Sequence, residues 1–310
     1  MREQIIDLWK ISFGDSDDFI RLWFDRVYKD EQTLVVRQNG QIVSALQIIP
    51  YEMTYCGTTI PAGYICGVCT LPSERGKGYM SRLMYQALEE RQKRNYALAV
   101  LIPATPALFD LYRRFEFANA FNYAVEEIQS NYLNNSSDSG IRIVSCESFS
   151  PDALYTYYHS KQCERNCSIL HSACQFETIC QDRILGGGNI WMAFANTQPV
   201  GVAFTDPVNG LTLSIREIMH DSENIKHQLV QSILTHHRLH NAKLRIPPTP
   251  SNSIPYGMAR IINKGQMINL YRSYSNFPTL SDFNKLTLSE LTQILLRYDQ
   301  QQAWMNLMLD

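Results

Sequence analysis

Arg75-Gly76-Lys77-Gly78 sits between an apolar run and an amphipathic one, and its residue types suit an anion. Tyr64, Ile65, Val68 and Cys69 read as a strand that Pro72 stops. From Met80 on, Leu83, Met84, Ala87 and Leu88 fall on one stripe at helical spacing, with Ser81, Arg82, Gln86, Glu89 and Glu90 off it. The first N–H groups of a helix lack intrahelical partners, and the helix dipole favours negative charge beside them. Gly76 and Gly78 carry no Cβ, so a phosphate could approach the main chain closely. Arg75 and Lys77 add positive charge. The stretch contains neither G-x-x-x-x-G-K-[ST] nor G-x-G-x-x-G, so neither of those phosphate motifs explains it.

Other residue types that do chemistry are less sharply arranged. Five of the eight cysteines, Cys146, Cys163, Cys167, Cys174 and Cys180, lie close together with His171 among them. These five show no C-x-x-C spacing, so reduced, partly buried thiols are expected rather than a metal site. All seven histidines lie beyond residue 130. His236 and His240 stand at i, i+4 but lack the acidic partner of a catalytic zinc helix, and a solvated helix face is expected. Cys66 and Cys69 have no histidine within residues 1–130 to activate them as nucleophiles.

The elements that must position the glycine loop follow from pattern. Residues 1–30 read as two helices broken at Gly14–Asp18, with Ser16 or Asp17 as the second N-cap. Thr33–Arg37 and Gln41–Ile49 flank Gln38-Asn39-Gly40, a strong hairpin signal. Tyr51–Ile60 reads as another strand pair turning at Cys56-Gly57-Thr58. Ala97–Ile102 is a buried strand, parallel to Tyr64–Thr70 because a helix joins them. Pro106–Phe115 is a short helix and Phe117–Ile128 a returning strand. Asn131–Gly140, polar and aperiodic, reads as a linker. Beyond it the same order begins again: strand 141–144, helix 151–160, hairpin strands 190–195 and 200–205, strand 211–218, helix 225–237 and strand 243–246. In place of the glycine loop this half has Met219-His220-Asp221-Ser222-Glu223, whose acids would repel a diphosphate. Leu286–Tyr298 reads as a helix capped by Thr287 or Ser289. The apolar end around Trp304, Leu307, Met308 and Leu309 is expected to dock rather than dangle.

Length and composition agree with this division. A chain of 310 residues is comfortable for two domains, and 45% hydrophobic with 19% charged residues is ordinary for a globular protein. The net charge of −2 gives no reason to expect nucleic-acid or membrane-surface partners. No run approaches transmembrane length and the first residues do not resemble a secretory signal, so a cytoplasmic address is expected.

The frame Arg75-Gly76-Lys77-Gly78-Tyr79-Met80 resembles motif A of the GCN5-related N-acetyltransferases, [QR]-x-x-G-x-[GA], which grips the pyrophosphate of acetyl-coenzyme A. Met80 departs, standing where Gly or Ala is usual. A bulky residue there is similar to the enhanced-intracellular-survival branch, whose members join two acetyltransferase folds in one chain. The resemblance implies an α/β (α+β) architecture of tandem folds: a mixed, mostly antiparallel sheet with splayed parallel central strands and flanking helices. It implies a catalytic domain over 1–130, a linker over 131–140, a degenerate second fold without cofactor over 141–275, and a tail over 276–310. Gly257–Ile262 resembles the segment leading to a sterol-carrier-like module in that branch, here too short to be complete.

The resemblance also assigns roles. The main chain of Val68, Cys69 and Thr70 would hold the pantetheine and the thioester carbonyl. LYRRFEF is similar to the closing L-Y-x-x-x-G-F segment of the family, with Glu116 where Gly is usual. It would put Tyr112 beside the cofactor sulfur, where a phenol is a proton donor at neutral pH. The carboxylate of Asp310 would orient or deprotonate an acceptor amine. The implied reaction is direct acetyl transfer from acetyl-CoA to a small-molecule or lysine amine, with no metal. A cofactor-binding but idle interaction module, and an aminoacyl-transferase with paired folds, stay open beside it, as does a homo-oligomer. The acceptor is not written in the residues, although Glu126, Glu127 and Asp310 would suit a cationic amine.

Overall fold

The computed structural model describes residues 1–130, 140–146, 150–249, 251–274 and 283–309. All of the expected linker but Gly140 lies outside the described residues, and so does Asp310. The chain opens with α1 (Arg2–Phe13) and α2 (Asp17–Arg26). Gly14 ends the first at φ 70°, and the Ser16 hydroxyl accepts from Phe19 N to start the second, as expected. β1 (Thr33–Gln38) and β2 (Gln41–Tyr55) form the predicted hairpin. Asn39 and Gly40, at φ 49° and 82°, supply the left-handed pair that a tight hairpin turn needs. The runs 41–49 and 51–55 are one continuous strand, which turns at Cys56-Gly57 and returns as β3 (Thr58–Thr70). α3 (Tyr79–Lys93) crosses over to β4 (Leu98–Leu101), which is parallel to β3 as the connection requires. α4 (Pro106–Arg113) and β5 (Ala118–Gln129) follow.

The second half repeats the plan. It contains β6 (Ile141–Ser145), α5 (Pro151–Cys163), the short β7 (Ile169–Leu170) and α6 (Ala173–Leu185). Then come β8 (Asn189–Ala195), β9 (Gln198–Thr205), β10 (Thr212–His220), α7 (Glu223–His237) and β11 (Asn241–Ile246). The sequence reading had no place for α6, although its Ser172–Gln175 capping box is a clear start signal. β12 (Ile254–Ile261), α8 (Lys264–Ser273) and α9 (Leu288–Leu295) close the chain, with Thr287 capping α9 as expected. α7 stops at His237 with Arg238 left-handed, so His236 and His240 do not share a helix face.

One sheet runs through both halves, in the order β1-β2-β3-β4-β12-β5-β11-β10-β9-β8-β6, with β7 paired to β2. It is mostly antiparallel; the parallel pairs are β3–β4 and β10–β11. This arrangement crosses the expected boundary. β12 lies far along the second half of the sequence, yet it sits between β4 and β5, antiparallel to both. β5 then pairs with β11 on its other edge. The physical reason is that β4 is buried along its whole length and needs a partner on each side. Buried Met258, Ala259 and Ile261 supply one edge of that pairing and a share of the core.

The cores are shared as well. Trp9, Trp23 and Phe24 of α1 and α2 pack in one cluster with Tyr158, Phe176 and Phe204 of the second half. On the other face, Leu83, Met84 and Leu88 of α3 and Tyr112 of α4 cover Leu101 and Phe117. α7 covers Leu213 and Leu244 through Leu229 and Ile233.

The end of the chain docks as expected, with residues 303–309 all buried. Trp304 bonds main chain to main chain with Cys167 (2.9 Å) and Ile169 (3.0 Å). Parallel pairing of β10 with β11 stops at Ile215↔Leu244, and Asn306 sits where the two strands part. Its Nδ2 donates to Arg216 O and Glu217 Oε2, both at 2.7 Å, and its Oδ1 accepts from Arg245 Nη1 at 3.1 Å. Trp304 Nε1 also donates to Glu217 Oε2, at 3.3 Å.

Burial holds the Glu217 carboxyl above the usual carboxylate range, against the opposing pull of Arg165 and these hydrogen bonds. The folded state therefore binds this proton more tightly than the unfolded chain. Stability should fall as pH rises from the ordinary carboxylate range through the raised folded value. Glu217→Gln removes that titration while keeping an acceptor for Trp304 and Asn306. Thermal melts between about pH 4 and pH 8 should show the variant gaining on the wild type as pH rises. A difference independent of pH would contradict this reading of Glu217.

Candidate active site

The site begins where β3 and β4 separate. They pair only from Ala62↔Leu98 to Ile65↔Leu101. Immediately beyond, β3 bulges against β2: Cys66 pairs with Gln47 and Cys69 with Ala45, leaving Gly67 and Val68 opposite Leu46. Gly67 takes φ 57°, and a Cβ there would lie 2.7 Å from the Trp9 ring. Backbone conformation and close approach both require glycine at this position. The extra residue turns β3 away from its neighbour.

A cavity of about 630 Å³ opens in the gap, between Tyr64–Val68 on one side and Ile102–Pro106 on the other. Tyr112 of α4 lines it, and Trp9 and Trp23 lie on the wall built by α1 and α2. Those two rings are fixed by hydrogen bonds from Trp9 Nε1 to Asp15 (2.7 Å) and from Trp23 Nε1 to Gln47 (3.1 Å). Tyr123, Arg245 and Tyr256 also line the cavity, together with Leu309 of the tail.

The glycine loop leads from β3 into α3. Gly76 and Gly78 are exposed, left-handed at φ 78° and 79°, with open space where a Cβ would point. Gly78 is the N-cap of α3, no side chain caps it, and the first turn contains no acid. The N–H groups there are left for a ligand. The corresponding end of α7 differs: the Ser222 hydroxyl accepts from Ile225 N, and Glu223 occupies the first turn. Arg75 Nε donates to Thr70 O at 3.3 Å, which folds its side chain back over the end of β3. Lys77 pairs with Glu74 at 2.9 Å, so part of its charge is already answered. Tyr79 and Met80 are half-buried and pack on the α3 core beside Val68 and Leu71. Their bulk goes into packing, which leaves only their main chain for an anion. Uncapped N–H groups, two glycine openings and two cations fit a diphosphate.

Strand geometry sorts Val68, Cys69 and Thr70. Leu71 N donates to Val43 O, so alternation turns Cys69 toward β2 as well. Val68 and Thr70 then turn toward the opened edge. The Thr70 hydroxyl lies 2.8 Å from that of Ser44, which also donates to Cys69 O at 2.9 Å. Tyr112 is buried, and burial first, then the Cys66 thiol nearby, push its phenol up to about 12. It therefore keeps its proton throughout the neutral range. Burial likewise raises Cys66 and pushes Cys69 up to about 12, and no histidine lines the cavity to activate either thiol. Among the described residues, no group of three or more His, Cys, Asp or Glu side chains is placed to hold a metal ion. No described helix is long and apolar enough to cross a membrane.

Sequence reasoning missed Gly67, Trp9, Asp15 and Arg245. An isolated glycine inside a strand pattern signals a bulge, so Gly67 was open to detection. Arg245 carries no local signal, because only the shared sheet brings it to the cavity.

Residues 2–120 match the family model of the acetyltransferase (GNAT) domain. A probable N-acyltransferase from Enterococcus faecalis is similar in structure at TM-score 0.73 and 17% identity, over 87% of this chain and 72% of its own. A GCN5-related N-acetyltransferase from Anabaena variabilis is similar at TM-score 0.71 and 18% identity, over 86% of this chain and 71% of its own. Eis1 from Mycobacterium abscessus is similar at TM-score 0.68 and 14% identity, over 87% of this chain and 73% of its own. At these identities the likeness is one of fold. No curated protein matches the sequence.

The bulge gives a direct test. Gly67→Ala should cost about 1–3 kcal/mol of unfolding free energy in denaturant melts, from backbone strain plus the Trp9 contact. Gly14→Ala, equally left-handed but facing open space, should cost less. Equal losses at both positions would remove Trp9 from the account.

Proposed function

We propose that this chain, which opens with an acetyltransferase (GNAT) domain, transfers the acetyl group of acetyl-CoA to a primary amine by direct attack. The observation that carries the reading is the parting of β3 from β4 into a cavity, with an uncapped helix following β3 along the chain. Open main chain for an amide-rich arm and an anion loop for its diphosphate lie on one continuous path from β3 into α3. The diphosphate is assigned to the main chain of Gly76, Gly78, Tyr79 and Met80, with Arg75 and Lys77 beside it. The pantetheine arm is assigned to the opened edge at Val68 and Thr70, with Cys69 holding the bulge that exposes them.

The neutral amine attacks the thioester carbon, and a main-chain N–H of that edge stabilises the oxyanion. The tetrahedral adduct collapses, the C–S bond breaks, and the sulfur leaves with the bonding pair. Tyr112 donates its proton to that sulfur and regains one from solvent. A phenol held near 12 is a weak acid toward an ordinary thiolate, which titrates near 8.5. The burial that raises Cys66 also raises the proton affinity of a sulfur leaving beside it, and this narrows the gap. The second proton on the new amide nitrogen goes to water or to a carboxylate. The resemblance offers Asp310 for that role.

Acceptors are small-molecule amines or lysine side chains. Tyr112→Phe should lower turnover by about 10²-fold, read as thiol release with a panel of primary amines, while calorimetry shows acetyl-CoA affinity unchanged. Unchanged turnover would remove the acid role. Absence of any heat with CoA thioesters would remove the enzymatic reading altogether, leaving an interaction module.

A further inference from the structure

The cavity contains a cation that acetyl transfer does not use. Arg245 lies near the end of β11, one residue past the last parallel pair with β10, and its half-buried side chain faces the cavity. Its guanidinium carbon is 4.2 Å from the Tyr123 ring centroid and 4.7 Å from that of Tyr256. The two rings meet edge to face at 5.8 Å. Nη1 donates to Asn306 at 3.1 Å, and Asn306 is itself held by Arg216 O and Glu217. Two rings and one amide thus hold the guanidinium in place. Among the described residues no carboxylate oxygen lies within 4.0 Å of it. Glu217, the nearest acid in this network, is engaged by Trp304 and Asn306 instead.

A guanidinium offers five N–H donors in a planar fork that matches a planar oxyanion, and stacking on aromatic rings leaves its edges free to donate. Held rigidly in a half-buried cavity with no direct ion pair among the described residues, it is prepared for an anionic ligand. The glycine loop is not part of the cavity lining, so this charge is separate from the diphosphate subsite. Asp15, on the wall formed by α1 and α2, gives the same cavity a carboxylate. One fixed cation and one carboxylate over a largely aromatic surface match a ligand that carries both charges.

We propose that the acceptor amine is an amino carboxylate, and that Arg245 is the residue that binds its carboxylate. The inference deepens the acetyltransferase reading, since it names the substrate class of that site. Its test does not depend on turnover. Binding is measured by calorimetry with saturating CoA, for lysine against cadaverine and for phenylalanine against phenethylamine. Each pair differs only by the carboxylate. In at least one pair the carboxylate-bearing member should bind tenfold or more tightly. Arg245→Gln should abolish that preference and Arg245→Lys should restore part of it, both with unchanged affinity for CoA. Equal or weaker binding of the carboxylate member in every pair would overturn the proposal. So would an Arg245→Gln variant that weakens both members alike, because Arg245 would then only anchor the tail through Asn306. A carboxylate preference without thiol release would leave Arg245 as the residue that binds the carboxylate and remove the acetyl-transfer reading, making the amino carboxylate a ligand rather than an acceptor.

Discussion

Wherever two parallel strands part inside a folded protein, the main-chain groups along the gap must find partners, since buried and unpaired they cost more than most packing returns. The described residues contain two such gaps and answer them differently. Between β3 and β4 the edge opens into a cavity, and the helix that follows β3 starts without a side-chain cap. Between β10 and β11 the side-chain amide of Asn306 takes the carbonyl of Arg216 and joins it to Arg245. The helix that follows this second gap is capped by its own Ser222. One gap stays open as a cavity, and the other is filled by an amide from the chain itself.

The filled gap serves the open one. Asn306 and the Tyr123–Tyr256 pair hold Arg245 at the cavity wall, so the second half of the molecule contributes a charge to the first half's site. Trp9 plays the matching part on the other side, with its ring lying where any side chain on Gly67 would go. The cavity is therefore bounded by parts far apart in sequence: the first helix, the two separated strands, the strands at the boundary between halves, and the tail.

Much of the fold was legible because local chemistry dictates it. Asn39-Gly40 and Cys56-Gly57 mark turns by their left-handed conformations, and Ser16, Ser222 and Thr287 mark helix starts by their hydroxyls. The apolar stripe of α3 and the glycines before it marked where that helix begins. The route of β12 was not legible. Gly257–Ile262 reads only as a segment leading to the tail; strand patterns do not say which sheet a strand enters, and this one returns across more than a hundred residues to pair with β4. The same limit hid Arg245, whose meaning depends on Tyr123 from one half and Tyr256 from the returning strand. His236 and His240 misled in the opposite direction, because spacing suggested a shared face that the helix end at His237 removes.

The returning strand also bears on how such a molecule comes to be made. A ribosome delivers β4 and β5 long before β12, so during synthesis the first half exposes two open edges, both apolar and both able to pair with a stranger. Closing that sheet requires contacts of very high sequence separation, which slows folding and lengthens the exposed interval. The segment that carries the family signature, residues 2–120, stops within β5 and includes neither β12 nor the tail. What looks like a separable module in one dimension is, in three, a half-laced seam that the far end of the thread must tie.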